Sequence, residues 1–180
     1  MTHWLAIAAL LAGSAASAPA GDKPKVSRAI IADAEKSLDK GLAGVWPNDQ
    51  ASLIGLTQGL YIGGYGAVFT GEIDLAPSGG ITPFHPEVTK EESMHTHAKK
   101  VQRLPKLKEA MRDLLTSMAA SLDAVPADEQ ITLGLSLLYW RGENTAGLPL
   151  QIVMHAPKKT LLALRADKAA LANAVTTEEF

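Results

Sequence analysis

Few residues in this chain have the types and spacing to do chemistry, and each set has an ordinary structural use beside its chemical one. Glu72 and Asp74 stand two apart in a β-prone stretch, so their carboxylates project from one side of a strand, roughly 7 Å apart. Such a pair binds a cation or serves as acid and base in glycoside hydrolysis. It serves equally as a wet strand face or a charged edge. His95 and His97 are also two apart, and His85 and His155 complete a set from which a zinc or copper site is conceivable. On a regular helix His95 and His97 point about 200° apart and cannot share an ion, unlike the i, i+4 histidines of H-E-x-x-H. Solvent-exposed helix histidines are the plainer reading.

The densest charge is basic. Lys99, Lys100, Arg103, Lys106, Lys108 and Arg112 fall within just over three helical turns from first to last, opposed by Glu109. A face of this kind docks on an anionic envelope component or an acidic protein, or is simply solvated, with lysine stems covering apolar neighbours.

Other chemistry finds no footing. There is no cysteine, which removes thiol catalysis, cysteine-ligated metals, disulfides and a lipoprotein anchor. No G-x-S-x-G, S-x-x-K or H-E-x-x-H occurs, and Ser78 is a loop serine without a positioned base. Gly63, Gly64, Gly66 and Gly71 do not form G-x-G-x-x-G, because Phe69 occupies the third glycine position. No cofactor is expected. The net charge of −2 over 180 residues gives no case for nucleic acid.

The first residues stand apart from the fold. Trp4 to Ala12 is an apolar run too short to span a bilayer, followed by small residues that supply Ala-x-Ala signals ending at Ala18 or Ala20. Residues 1–20 read as a secretory signal peptide and 21–180 as one domain, periplasmic or secreted, with no transmembrane segment after cleavage.

The elements that must position the candidates follow from periodicity. Ser27 caps a helix running to about Lys40, with Gly41 placed to end it. The stretch from Leu53 to Leu75 reads as a hairpin turning at Gly63-Gly64, or as one bulged strand from Leu60 to Leu75, the hairpin being favoured. In either form Tyr65, Ala67, Phe69, Ile73 and Leu75 share the core face, while Thr70, Glu72 and Asp74 share a wet one. Thr89-Lys-Glu-Glu92 is a capping box opening a long amphipathic helix, in which Pro105 marks a kink or break. Strands at Gln130–Trp140 and Leu150–Ala156 form a second hairpin, and Pro157 opens a last helix through Leu171, after which Thr176–Glu179 frays. The fold class expected is α+β: an antiparallel sheet of about four strands with helices mainly on one face.

The run Tyr61-Ile-Gly-Gly-Tyr-Gly-Ala-Val-Phe69, with the capped helix and the Glu129–Tyr139 strand after it, resembles a set of exported bacterial proteins to which no function is attached. The resemblance spans about two thirds of the chain and implies only the compartment. The function expected is therefore an exported cell-envelope binding or accessory domain, contacting its partner through the basic helix face. The alternative is a metal- or carboxylate-dependent hydrolase using Glu72, Asp74 and the histidines.

Overall fold

The computed structural model describes residues 26–47, 51–77 and 88–180. The expected signal peptide and His85 lie outside them. The fold is α+β, with α1 (Arg28–Ala43), β1 (Ser52–Ile62), β2 (Gly66–Asp74), α2 (Lys90–Ser121), β3 (Gln130–Leu137), β4 (Gln151–Pro157), α3 (Lys158–Ala163), α4 (Lys168–Ala174) and β5 (Thr176–Glu179).

The sheet order is β1-β2-β3-β4-β5. It has five strands rather than four, and it is mixed rather than antiparallel. β2 and β3 run parallel, with Phe69 opposite Leu133, and the other three pairs are antiparallel. The parallel pair follows from α2, since a helix of 32 residues carries the chain back to start β3 beside the start of β2. The fifth strand is the stretch expected to fray. Thr-Thr-Glu-Glu has no apolar alternation and pairs with β4 along its backbone. As an exposed, acidic edge it is also poorly suited to further strand addition.

The helices pack on one face, as expected. Phe69 and Ile73 of β2, Ile131, Leu133 and Leu135 of β3, and Ile152 and Met154 of β4 are buried against Leu38 of α1, Leu107, Met111 and Leu115 of α2, and Leu161 of α3. This single continuous cluster removes the most apolar surface from water and is the main source of stability. Gly41 does not end α1. The helix continues to Ala43, and a Cβ on Gly41 would sit 2.3 Å from the Leu114 side chain, so the glycine lets α1 and α2 approach closely. Nor does Pro105 divide α2. Its ring is exposed, and Val101, whose carbonyl loses its usual helical partner there, is 45% exposed and open to water.

The β1–β2 hairpin is confirmed, turning through Gly63, Gly64 and Tyr65. Gly64 takes φ +83°, and Gly66, at φ +138°, lies so close to β3 that a Cβ would fall 1.9 Å from the Gln130 carbonyl oxygen. β1 carries a bulge between Ile54 and Gln58, with Gly55 at φ +72°. Its outer edge is closed by α1. Asp39 accepts from the Thr57 N–H (2.9 Å) and hydroxyl (2.8 Å), and Glu35 accepts from the Gly59 N–H (2.6 Å). The Arg28 guanidinium, together with Gly59, holds the Glu35 carboxyl below its ordinary range against the opposing effect of burial.

Candidate functional site

Charged side chains gather where β2 and β3, the parallel pair, end. Asp74 closes β2, Tyr139 and Trp140 follow β3, Glu143 lies in the turn beyond, and Lys100 reaches in from α2. The Lys100 ammonium lies 3.2 Å from Asp74 Oδ1 and 2.8 Å from Glu143 Oε1, and it donates to Glu143 Oε2 (3.1 Å) and the Leu138 carbonyl (2.8 Å). It also sits 4.7 Å from the Tyr139 ring centroid, a cation–π contact. Asp74 accepts from the Ala76 N–H at 3.0 Å and faces the Trp140 indole N–H at 3.4 Å, while Glu143 Oε2 takes the Trp140 backbone N–H at 2.9 Å.

These side chains are almost wholly inside: Lys100 is 1% exposed, Asp74 3% and Glu143 5%. One cation faces two carboxylates with further donors and acceptors around them, which is what a buried charge needs to remain charged. The ammonium is thus held as an ion-pair centre and is not a free amine nucleophile. Tyr139 is no base either. Burial, followed by the charges of Glu143 and Asp74, pushes its hydroxyl up to about 12, and the hydroxyl donates to the Pro149 carbonyl at 2.8 Å. Beside the cluster, Trp140, Arg141, Gly142 and Glu143 line a cleft of about 20 Å³ with Ser93 and Thr96, room for little more than a water. The assembly ties the 138–143 segment to α2 and to the end of β2.

This departs from the expected wet face of β2. Thr70 is exposed and Glu72 half-buried, but Asp74 is buried by Lys100 and Trp140. Glu72 and Asp74 therefore occupy different environments. The basic stripe is divided as well. Lys100 and Arg103 belong to the interior, Arg103 donating to the Leu75 carbonyl with its guanidinium 5.7 Å from the Trp46 ring. Lys106 lies over the same ring at 5.5 Å, and Lys108 pairs with Glu179 at 2.5 Å. Arg112 lines a cleft of about 200 Å³ with Glu109, Asp113 and Lys168, where Lys168 bridges both carboxylates at 3.0 and 3.2 Å. Lys99 is half-buried.

The histidines do not converge. His95 is exposed on α2. His97 Nδ1 lies 2.9 Å from the Asn144 carbonyl, a contact that places its proton on Nδ1. His155 is on β4, 3.4 Å from Gln130 Oε1. Glu72 lies level with Gln151 across β3, so His155 is four residues further along β4 and two strands over, roughly 16 Å from Glu72 at ordinary sheet spacings. Among the described residues no three His, Asp or Glu side chains are grouped to hold a metal ion.

A surface that the residue types did not announce is the side of the sheet away from the helices. Ile54, Leu60 and Ile62 point there by their pairing with Glu72, Val68 and Gly66, and Tyr65 folds onto it, its hydroxyl 3.2 Å from that of Thr132. Leu56 stands out from the bulge. Their exposures are 40% for Ile54, 71% for Leu56, 52% for Leu60, 47% for Ile62 and 41% for Tyr65. These five, within twelve residues, are nearly half of the large exposed apolar side chains among the described residues. Scattered singly they would need no explanation, but gathered on one hairpin they mark a contact surface. The available signal was that β1 carries apolar residues at both strand parities, while the described helices pack on one side of the sheet. Searches of protein-family models, curated proteins and solved structures gave no match to this chain, so the site rests on its own geometry.

Proposed function

We propose that this chain is an exported binding or accessory domain of the cell envelope, and that it makes its contact through the open side of the β1–β2 hairpin. The observation that carries this reading is the set of exposed Ile54, Leu60, Ile62 and Tyr65 on the side of the sheet away from the helices, with exposed Leu56 in the bulge beside them. The basic helix side is a poorer candidate than its sequence implies, because Lys100 and Arg103 are interior and Lys108 is paired within the chain. The hydrolase alternative draws nothing from the described residues, since Asp74 is engaged by Lys100 and the histidines are apart.

Export rests on the Trp4–Ala12 run and the small residues after it. The intact mass of protein recovered from its own cell envelope is expected to correspond to a chain starting at Gly21. Native mass spectrometry of the same sample is expected to show a bound protein partner that Leu56→Lys with Leu60→Lys removes. A full-length cytosolic chain would contradict export. Partner binding that survives both hairpin substitutions would contradict the contact surface.

A further inference from the structure

We infer that the occupant of the open hairpin face is a second copy of this chain, packed sheet to sheet about a two-fold axis. This rests on the reading of that face as the contact surface. Residues 51–77 contain no lysine or arginine, and of their two acids Asp74 is buried and Glu72 half-buried. A face without cations is a poor match for anionic lipid, which interfacial segments meet with lysine and arginine. It is equally a poor match for a strongly charged partner, which needs opposite charge across the interface. A mainly apolar patch, with half-buried Glu72 only at its Ile54 end, is complementary to itself, which is what an isologous two-fold interface requires of one surface.

The mode of contact is narrowed by the edge of the sheet. Thr57 and Gly59 already give their outward N–H groups to Asp39 and Glu35, so a partner strand cannot extend the sheet along that part of β1. Contact through the face remains. The five apolar side chains expose on the order of 500 Å², most of the ~800 Å² per partner of a standard interface, and half-buried Val68, the cross-strand partner of Leu60, adjoins them. Two such faces stacked at the ~10 Å usual for packed sheets would bring Leu60 and its cross-strand partner Val68 against their counterparts.

The test is sedimentation velocity on the protein as processed in the cell, up to about 100 µM, well above the micromolar limit of such interfaces. Leu60→Lys and Leu56→Lys are measured beside it, with circular dichroism to confirm that each variant is folded; both positions are exposed, so the fold tolerates charge there. The expected result is a dimer whose dissociation constant rises roughly 30-fold or more in each variant, as for an interface hot spot. A wild-type chain that stays monomeric to 100 µM overturns the inference, as does a dimer indifferent to both substitutions. If the wild type is monomeric yet the variants still lose an envelope partner, another protein is the occupant and the contact surface stands. If a monomeric wild type binds vesicles of phosphatidylglycerol, lipid is the occupant and the inference also fails. If the variants change neither self-association nor envelope binding, inference and contact surface fall together.

Discussion

Lys99 and Lys100 are adjacent, alike in charge and flexibility, and have opposite fates. One is half-buried, and the other is the cation between Asp74 and Glu143. Nothing local distinguishes them. The difference comes from which helical face meets the ends of β2 and β3, and from a carboxylate 43 residues further along the chain. Charge was legible at this scale, and burial was not. Lys100→Ala should cost about 3–5 kcal/mol in urea unfolding, because two carboxylates are left inside without their cation. A cost within about 0.5 kcal/mol, the level of an ordinary surface lysine, would mean that the cluster does not hold the fold. Tyr139 gives a pH counterpart. Its hydroxyl titrates at about 12 in the folded chain against an ordinary 10.0, so its contribution to stability is fully present below pH 10 and is lost as pH rises towards 12. Ultraviolet titration should show a step near pH 12 that is absent in Tyr139→Phe, while Tyr61, raised by burial and by Glu129, still ionises above the ordinary value in that variant. Three tyrosines all ionising near pH 10 would contradict this. Lys158 is a second interior cation, donating to the carbonyls of Leu122 (2.7 Å) and Val125 (2.8 Å) and so holding the end of α2, and no spacing rule finds it.

At the scale of elements, what could be read in the sequence was what depends on neighbours. The Ser27 cap, the Thr89–Glu92 capping box and the hairpin at Gly63-Gly64 all appear where residue type and spacing put them, because each closes its own hydrogen bonds within a few residues. Features fixed by distant chain were not legible. β5 exists because β4 offers an edge, and the parallel β2–β3 pair exists because α2 returns the chain. The glycines show both kinds. Gly63 faces open space without positive φ, so Gly63→Ala should unfold within about 0.5 kcal/mol of wild type. Gly66→Ala drives a Cβ into the Gln130 backbone at a left-handed φ, and it should cost several kcal/mol or prevent folding. Equal stability of the two variants would show that the turn is not clamped against β3.

For the whole molecule, the helices cover one side of a five-stranded sheet, and the hairpin brings its apolar residues to the other. Binary patterning foresaw the covered side, since Phe69, Ile73, Leu133 and Leu135 alternate with more polar neighbours. It was silent on the open side, because Leu60 and Ile62 look like core residues, yet among the described residues no second helix layer lies over them. This open face is the one proposed to meet the partner. The most direct test is a photo-crosslinking amino acid placed in living cells at Leu56 or Leu60, with exposed Lys159, on the opposite side of the β-sheet from the hairpin face, as the control. Crosslinked species from positions 56 and 60 and none from 159 is the predicted result; no crosslinks from the hairpin, or the same yield from 159, would contradict it.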